Sequence, residues 1–552
     1  MLGSFMLPCV CCMVVLELAA PSSEASSSWS SIIQSGDPQP HEMSGQLREM
    51  GWIKWGSAAD DPTAAVGSPP RPTVVVDAAT KRQAIFGFGG AFTESAAFVW
   101  GNLSAAAQKR VLDAYWGPDG IGYTTGRMTM NSPDFALGHY SYANVSGDFA
   151  LASFQHDLPR DNEWVLPFLR AAIKTAGKPG TLRLFSAPWS PPAWMKVPFN
   201  DWPENDTEPD PQHLGAMDIC RPDSLLNSSN VRSAWALYFS KWHSAMATQL
   251  GQQLWGYSAQ NEPLAHGHMW DCCGYTPESY TSFISTHLMP RMQADHPYIS
   301  FLAFDHNPDA IEQWANATYS DPARRAYAWG TAVHWYSAEK QRGVNLNKTH
   351  LEFPDKPILH TEGCACRSLP FPSFPHGSTE SWWSVGEGYG IGLMQYLQNW
   401  ATGFTDWNLV LDAEGGPSHD RRFGCNAPFM QCPQHNASCA PDGLAVQAPF
   451  FFMAHFAKYL VPGSTIIGAM RTAGGGVPPA GQFYYEAGAE GADGQLGVLA
   501  AVQPNGTAVL VVLNTGDSAT EYTLRDARMG GQAVALLSIP PHSIQTLRWN
   551  VP

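Results

Sequence analysis

The chain has 552 residues, a formal charge of −16 and only 14% charged side chains, and it carries no basic block. That excludes a nucleic-acid binder, whose footprint is basic. With 44% apolar residues the chain is too apolar to be disordered throughout. Past the first 20 residues it has no run of 18 apolar residues to cross a membrane.

Residues 1–20 contain the apolar run MLPCVCCMVVL (6–16), the length of a signal-peptide core, with small residues at Ala19–Ala20 where cleavage would fall. Eight N-x-[ST] sequons (Asn102, Asn144, Asn205, Asn227, Asn316, Asn347, Asn436 and Asn505) exceed the about two or three that composition predicts by chance. Losing the leader removes Cys9, Cys11 and Cys12 and leaves eight cysteines. An even set in a secreted chain suits disulfides, with pairing not readable from spacing, and no CxxC…CxxC zinc pattern is present. These features predict a glycoprotein of the secretory pathway, lysosomal or extracellular.

Residues 21–71 read as a leader and connecting arm without a sustained period. From 72 to 465, apolar runs alternate with helix-length stretches, the pattern of repeated βα units. Eight strands are expected at 84–90, 121–130, 181–189, 254–263, 298–305, 328–336, 356–363 and 403–411. Helices are expected at 104–116, 163–176, 231–250 and 447–461. The glycine cluster GFGGAF (87–92) lacks the third glycine of a dinucleotide fingerprint and reads as a tight turn, with Thr93 capping the next helix. Residues 466–552 carry short apolar runs at 496–503, 507–514, 520–526, 533–539 and 543–549, punctuated by Gly, Asn, Asp and Pro. The fold class is therefore α/β: a (β/α)8 TIM barrel with an accessory antiparallel β-sandwich. Val74–Val76 is expected to lend the sandwich a strand from the 72–83 stretch.

A barrel builds its site at the carboxyl ends of its strands. There this sequence places Arg127 and Asp134, Trp189, Asn261-Glu262-Pro263, His334-Trp335-Tyr336, Thr361-Glu362 and Asp406-Trp407-Asn408. Glu262 and Glu362 are 100 residues, or three βα units, apart. At about 33 residues per unit, close to the about 31 of a 250-residue barrel, strands four and seven face each other across one cavity. Two facing carboxyls between aromatic walls suit glycoside hydrolysis, one protonated to release the leaving oxygen and the other ionised to attack the anomeric carbon. Each residue also has a plainer reading: a surface glutamate, a core Trp at 189 or 407, a satisfied core histidine at 334, or a turn cap at Asp134.

The segments FGFGGAFTESAA (86–97), GIGYTTGRMTMNSPDF (120–135), SAPWSPPAWMK (186–196), SAQNEP (258–263), AVHWYS (332–337), HTEGC (360–364), GFTDWNLVLDAEGGP (403–417) and QAPFFFMAHFAKYLVPGS (447–464) together resemble the glucosylceramidases (acid β-glucosidases) of glycoside hydrolase family 30. The resemblance implies Glu262 as general acid/base and Glu362 as nucleophile. It implies Asn261 as the partner of the sugar 2-hydroxyl, Asp134 and Trp189 as binders of the glucose hydroxyls, and Trp407 as a wall of the sugar pocket. His334 and Tyr336 would lie beside the nucleophile, and Arg127 would support the carboxylates. It implies no metal, no organic cofactor and no nucleic-acid partner. The substrate would be glucosylceramide or a related β-glucoside, with peripheral membrane contact if it is a lipid. The rivals are a retaining glycosidase for a soluble β-glucoside, xyloside or β-1,6-glucan, and a non-catalytic carbohydrate-binding barrel. The chain departs from the family at Glu94, at 197–230 and in the cysteine-bearing loop 418–439, which borders the pocket mouth in relatives.

Overall fold

The computed structural model describes residues 29–36, 48–54, 56–57, 71–177, 180–197, 217–265, 267–268, 270–337, 339–365, 382–419, 424–431, 442–473, 496–529 and 533–550. The leader, the sequons at Asn205 and Asn436, and Cys366, Cys432 and Cys439 lie outside them.

Eight parallel strands form the barrel: β1 (Gly87–Phe92), β2 (Thr125–Met130), β3 (Arg183–Pro188), β4 (Gly256–Ser258), β5 (Ser300–His306), β6 (Ala328–His334), β7 (Ile358–Glu362) and β8 (Gly403–Asn408). They pair in the order β7-β6-β5-β4-β3-β2-β1-β8. A bridge from Ile358 to Ala401 and the bond from the Thr402 amide to the Ile358 carbonyl (2.7 Å) draw the β7/β8 seam together. Every expected strand overlaps an observed one. Their interiors are continuously buried, as expected for a parallel sheet covered by helices.

The glycine cluster is not a turn. Its residues 87–92 are β1 itself, buried throughout. The glycines bring strands close: a Cβ on Gly89 would sit 2.0 Å from the Thr125 carbonyl oxygen. Thr93 does cap the helix Glu94–Asn102, accepting from the Ala96 amide at 3.0 Å, and its hydroxyl donates to Asn408 Oδ1 at 2.7 Å. Glu94 is buried, accepts from the Leu137 amide and pairs with Arg160 at 2.7 Å, a structural role.

The five expected tail strands form at Gly497–Val502, Thr507–Asn514, Thr520–Asp526, Ala533–Ile539 and Ser543–Asn550, within a ten-stranded sheet. Pro72–Ala84 joins them, antiparallel to Thr465–Ala473 and parallel to Thr520–Asp526. Residues 29–57, expected as a connecting arm, also supply strands: Trp29–Gly36 pairs with Ser543–Asn550, and Gly56–Ser57 with Ala533–Val534. The Ser residues of Trp29–Gly36 hide a period-2 signal, but its pairing with Arg48–Lys54 on one side and Ser543–Asn550 on the other is made by backbone groups.

In the central strand TAVLVVLN, Ala508, Leu510 and Val512 face the sandwich core while Val509, Val511 and Leu513 pack into the cluster that continues through the barrel's helices. Both faces of this strand are buried, so its apolar run is unbroken. Polar contacts pin the same boundary: His455 Nδ1 to Thr546 Oγ1 at 2.8 Å, and Gln398 Nε2 donating to the Val498 carbonyl at 2.7 Å.

Candidate active site

The barrel interior changes character along its axis. Near the amino ends of the strands, Phe185, Leu302, Ala332 and Leu359 pack together beneath Phe86, Trp255 and Trp329. Two residues further along, alternation turns Ala187, His334 and Thr361 toward the same interior. The apolar plug thus gives way to a polar layer at the carboxyl face.

Arg127 on β2 lies at the centre of that layer and is fully buried. Its Nη1 donates to Glu362 Oε2, and its Nη2 donates to Asn261 Oδ1 at 2.8 Å and to Asp305 Oδ2 at 2.9 Å. Because the guanidinium occupies Asn261 Oδ1, the donor end of that amide is what remains for a ligand. Asp305 also accepts from Ser258 Oγ at 2.6 Å and Thr361 Oγ1 at 2.6 Å, and meets His334 Nε2 at 3.1 Å. Burial opposes its charge, but Arg127, His334 and Ser258 hold the carboxyl far below the usual carboxylate range.

One oxygen each of Glu262 and Glu362, and a ring nitrogen of His334, all lie within 4.8 Å of one another. Glu362 accepts from Tyr336 Oη at 3.0 Å in addition to Arg127. Glu262 faces His334 Nδ1 at 3.1 Å and His306 Nδ1 at 4.0 Å. Burial opposes the His334 charge, yet Glu362, Asp305 and Glu262 raise that ring to about 9. His306 goes the other way, lowered to about 4 by burial, and its Nδ1 accepts from the Asn307 amide. Burial and the neighbouring carboxylates push Glu362 up against the pull of His334 and Arg127. Burial also acts to raise Glu262, but His306 and His334 draw it down overall. Two carboxyls this close titrate as a pair. The guanidinium bonded to Glu362 already supplies the positive charge that a metal would bring, so the trio is read as a hydrolytic rather than a metal centre.

Trp189 and Trp407 stack at 5.2 Å between centroids with planes 16° apart, and Arg127 lies 4.9 Å and 5.6 Å from their rings. Both indoles cluster with Phe135 and Tyr336 beside the carboxyls. Asp134 is half-buried, and its carbonyl accepts from Ser418 Oγ at 2.6 Å. Arg127, Asn261, Glu262, His334, Tyr336 and Glu362 therefore converge by direct contact. Trp189 and Trp407 join them through Arg127, and Asp134 stands at the loop beside them.

Asp305 and His306 belong to this site and were not singled out from the sequence. Alternation from Leu302 turns Asp305 away from the interior. Phe304 and Asp305, however, have φ of 76° and 73°, and the register against β6 slips between Phe304 and His306. This bulge turns Asp305 inward. Its only sequence signal is an acidic residue closing the apolar strand YISFLAFD.

The Cys220–Cys272 disulfide ties two loops on this face, and the Cys364 and Cys425 sulfurs approach to 3.1 Å beside Tyr336. Cys273 is buried and is not disulfide-bonded.

Comparison with known proteins agrees with this architecture. Residues 85–460 match the glycosyl hydrolase family 30 TIM-barrel domain, and residues 487–547 match the family's β-sandwich domain. "Putative glucosylceramidase 3" of Caenorhabditis elegans is 30% identical over 87% of this chain and 82% of its own length. "Lysosomal acid glucosylceramidase" of Mus musculus is 30% identical over 85% and 82%. An endo-1,6-beta-D-glucanase of Trichoderma harzianum is 25% identical over 79% and 78%. Among solved structures, SrfJ from Salmonella typhimurium superposes with a TM-score of 0.75 at 25% identity, covering 95% of this chain and 100% of that one. The chain is a glycoside hydrolase belonging to glycosyl hydrolase family 30.

Proposed function

We propose that the protein is a retaining β-glucosidase that releases glucose from glucosylceramide. The observation that carries this reading is the approach of Glu262 and Glu362 to within 4.8 Å. Retaining glycosidases separate their carboxyls by about 5–5.5 Å, whereas inverting ones need about 6.5–9.5 Å to admit a water. Glu362 attacks C1 as the bond from C1 to the ceramide oxygen breaks, and the proton on Glu262 passes to that oxygen. In the second half, Glu262 takes a proton from water while the water oxygen attacks C1, freeing Glu362 and a β-configured glucose. Asn261 donates to the sugar 2-hydroxyl, and Asp134, Trp189 and Trp407 bind and wall the sugar. Tyr336 and Arg127 hold the attacking carboxylate, and His334 holds Glu262.

The resemblance to the mouse enzyme supports the lipid substrate and a lysosomal or secreted location, and the Cys220–Cys272 disulfide supports the location, since disulfides persist in oxidising compartments. Asn102, Asn144, Asn227, Asn316 and Asn505 are exposed, as glycan acceptors must be. Among the described residues no helix is long and apolar enough to cross a membrane, and we read the contact with a lipid substrate as peripheral. Residues 72–465 would form the catalytic unit and 466–552 the sandwich that braces it.

The substrate test compares glucosylceramide in detergent, galactosylceramide and a β-1,6-linked gluco-oligosaccharide. Glucosylceramide is expected to be hydrolysed at least about 100-fold faster than the others, the discrimination a polar sugar site achieves. Faster cleavage of the oligosaccharide would overturn the lipid reading in favour of a glucanase like the fungal relative.

A pH dependence follows from the same contacts. The reacting form is the pair with one proton on Glu262; because burial raises Glu362 while His306 and His334 lower Glu262, Glu362 competes for that proton, and kcat/KM is bell-shaped. His334, charged below about 9, draws Glu262 down, so the protonated acid accumulates only in acid and the rate peaks there. Removing that charge in His334→Asn raises the Glu262 pKa. The alkaline limb of the profile should then move to higher pH while the maximum rate falls. An unmoved or acid-shifted limb would show that His334 does not set the protonation of Glu262.

A further inference from the structure

A second cluster of ligating side chains lies on the same face of the barrel, apart from the carboxyl pair. His139, on the loop after β2, places Nδ1 2.6 Å from Asp271 Oδ1. His419, on the loop after β8, places Nε2 3.9 Å from the same oxygen, and its ring meets His139 at 4.5 Å between centroids. One ligating atom from each of the three residues lies within 4.8 Å of the others.

We propose that His139, Asp271 and His419 bind a divalent cation of the zinc class that clamps three loops at the mouth of the barrel. Two imidazoles and one carboxylate are a borderline-soft set suited to zinc, with the fourth position left to water. A tetrahedral ion with bonds of about 2.0–2.1 Å spaces its ligand atoms by about 3.4 Å. The His139–Asp271 contact opens by under about 1 Å, and the His419–Asp271 contact closes by about half of one. Asp271 is fully buried, and its second oxygen accepts from Ser132 Oγ, which fixes the carboxylate as an outer hydrogen bond does in metal sites. The His139 side chain is 32% exposed, so an ion has a path in from solvent.

The His419 amide donates to the Ala136 carbonyl at 2.9 Å, so the loops after β2 and β8 already touch, and Asp271 comes to them from the loop after β4. Asp271 adjoins Cys272 of the disulfide, and His139 follows the Asp134 turn. His419 stands in the 418–439 loop that departs from the family pattern, next to Ser418, which bonds the Asp134 carbonyl. A bound ion would hold the sugar-side turn and the divergent loop to one buried carboxylate.

The test uses the intact enzyme, stripped with a chelator and titrated with Zn²⁺ alone at neutral pH. One equivalent should bind and raise the melting temperature. His139→Ala and His419→Ala should each abolish that equivalent while keeping turnover of a short β-glucoside, which shows that they fold. Ser132→Ala should weaken binding by about 10–100-fold. Glu362→Gln should bind zinc as the unmodified enzyme does, which separates this site from the hydrolytic pair. Co²⁺ added to the unmodified enzyme should give the intense visible bands of a four-coordinate site. Absence of stoichiometric zinc, zinc retained by both histidine variants, or zinc lost only in Glu362→Gln would overturn the proposal.

Discussion

Glu362→Gly is expected to lower turnover of β-glucosides by at least about 10⁴-fold, about 5.5 kcal/mol of lost transition-state stabilisation. The carboxylate is the group that forms the bond to C1, and no nearby side chain can replace it: Glu262 must carry the proton, and Asp305 is engaged by Arg127, Ser258 and Thr361. The space left by the side chain admits a small anion. Azide should therefore restore part of the rate, attacking C1 from the vacated side to give the α-glucosyl azide. Glu262→Ala should behave differently. Substrates with acidic leaving groups, which need no proton, should still form the glucosyl-enzyme, and azide should then yield the β-glucosyl azide. Interchanged products would reverse the assigned roles, and near-normal turnover in Glu362→Gly would remove it as nucleophile.

Asp305→Ala is expected to cost about 3–5 kcal/mol of stability and most of the activity. Asp305 neutralises Arg127 in a fully buried site, and removing one partner of a buried ion pair leaves the other charge uncompensated. The same carboxylate meets His334 Nε2, so its loss also frees the ring that holds Glu262. Denaturant melts and kcat measured below the melting point separate the two effects. A positioning role predicts that the alkaline limb of the pH profile shifts in Asp305→Asn, which keeps the shape but not the charge. In the folded protein the Asp305 pKa lies below its unfolded value. The stability it contributes is therefore present above the unfolded carboxyl range and is lost as pH falls toward the folded pKa. Asp305→Asn should accordingly lose less stability, relative to the native enzyme, in strong acid than near neutrality. Equal losses at both pH values would contradict the linkage.

The sequence made much of this legible where chemistry and periodicity coincide. Glu262 and Glu362 end short apolar strands three βα units apart, and both emerge in one cavity. The sandwich strands 507–514, 520–526 and 533–539 appear with the expected bounds because Gly, Asn and Asp punctuate them sharply. What escaped depends on backbone geometry that residue types do not announce. Asp305 enters the site through a bulge at two left-handed residues. The 87–92 glycines resemble a turn because glycine serves both turns and close strand contact, and only the position of the Thr125 carbonyl decides between them. The strands at 29–36, 48–54 and 56–57 lack a hydrophobic alternation, and backbone pairing rather than residue pattern places them in the sheet. The His139–Asp271–His419 group joins residues 132 and 148 apart in sequence, so no local spacing marks it.

The most direct test of the central claim is to trap the sugar on the enzyme. A 2-deoxy-2-fluoro β-glucoside with a good leaving group destabilises the oxocarbenium-like state and slows release of the covalent intermediate more than its formation. Mass mapping of the trapped enzyme should place one sugar on the peptide that carries Glu362. A sugar found on Glu262, or an enzyme that stays unlabelled while releasing α-glucose from ordinary substrate, would contradict the account.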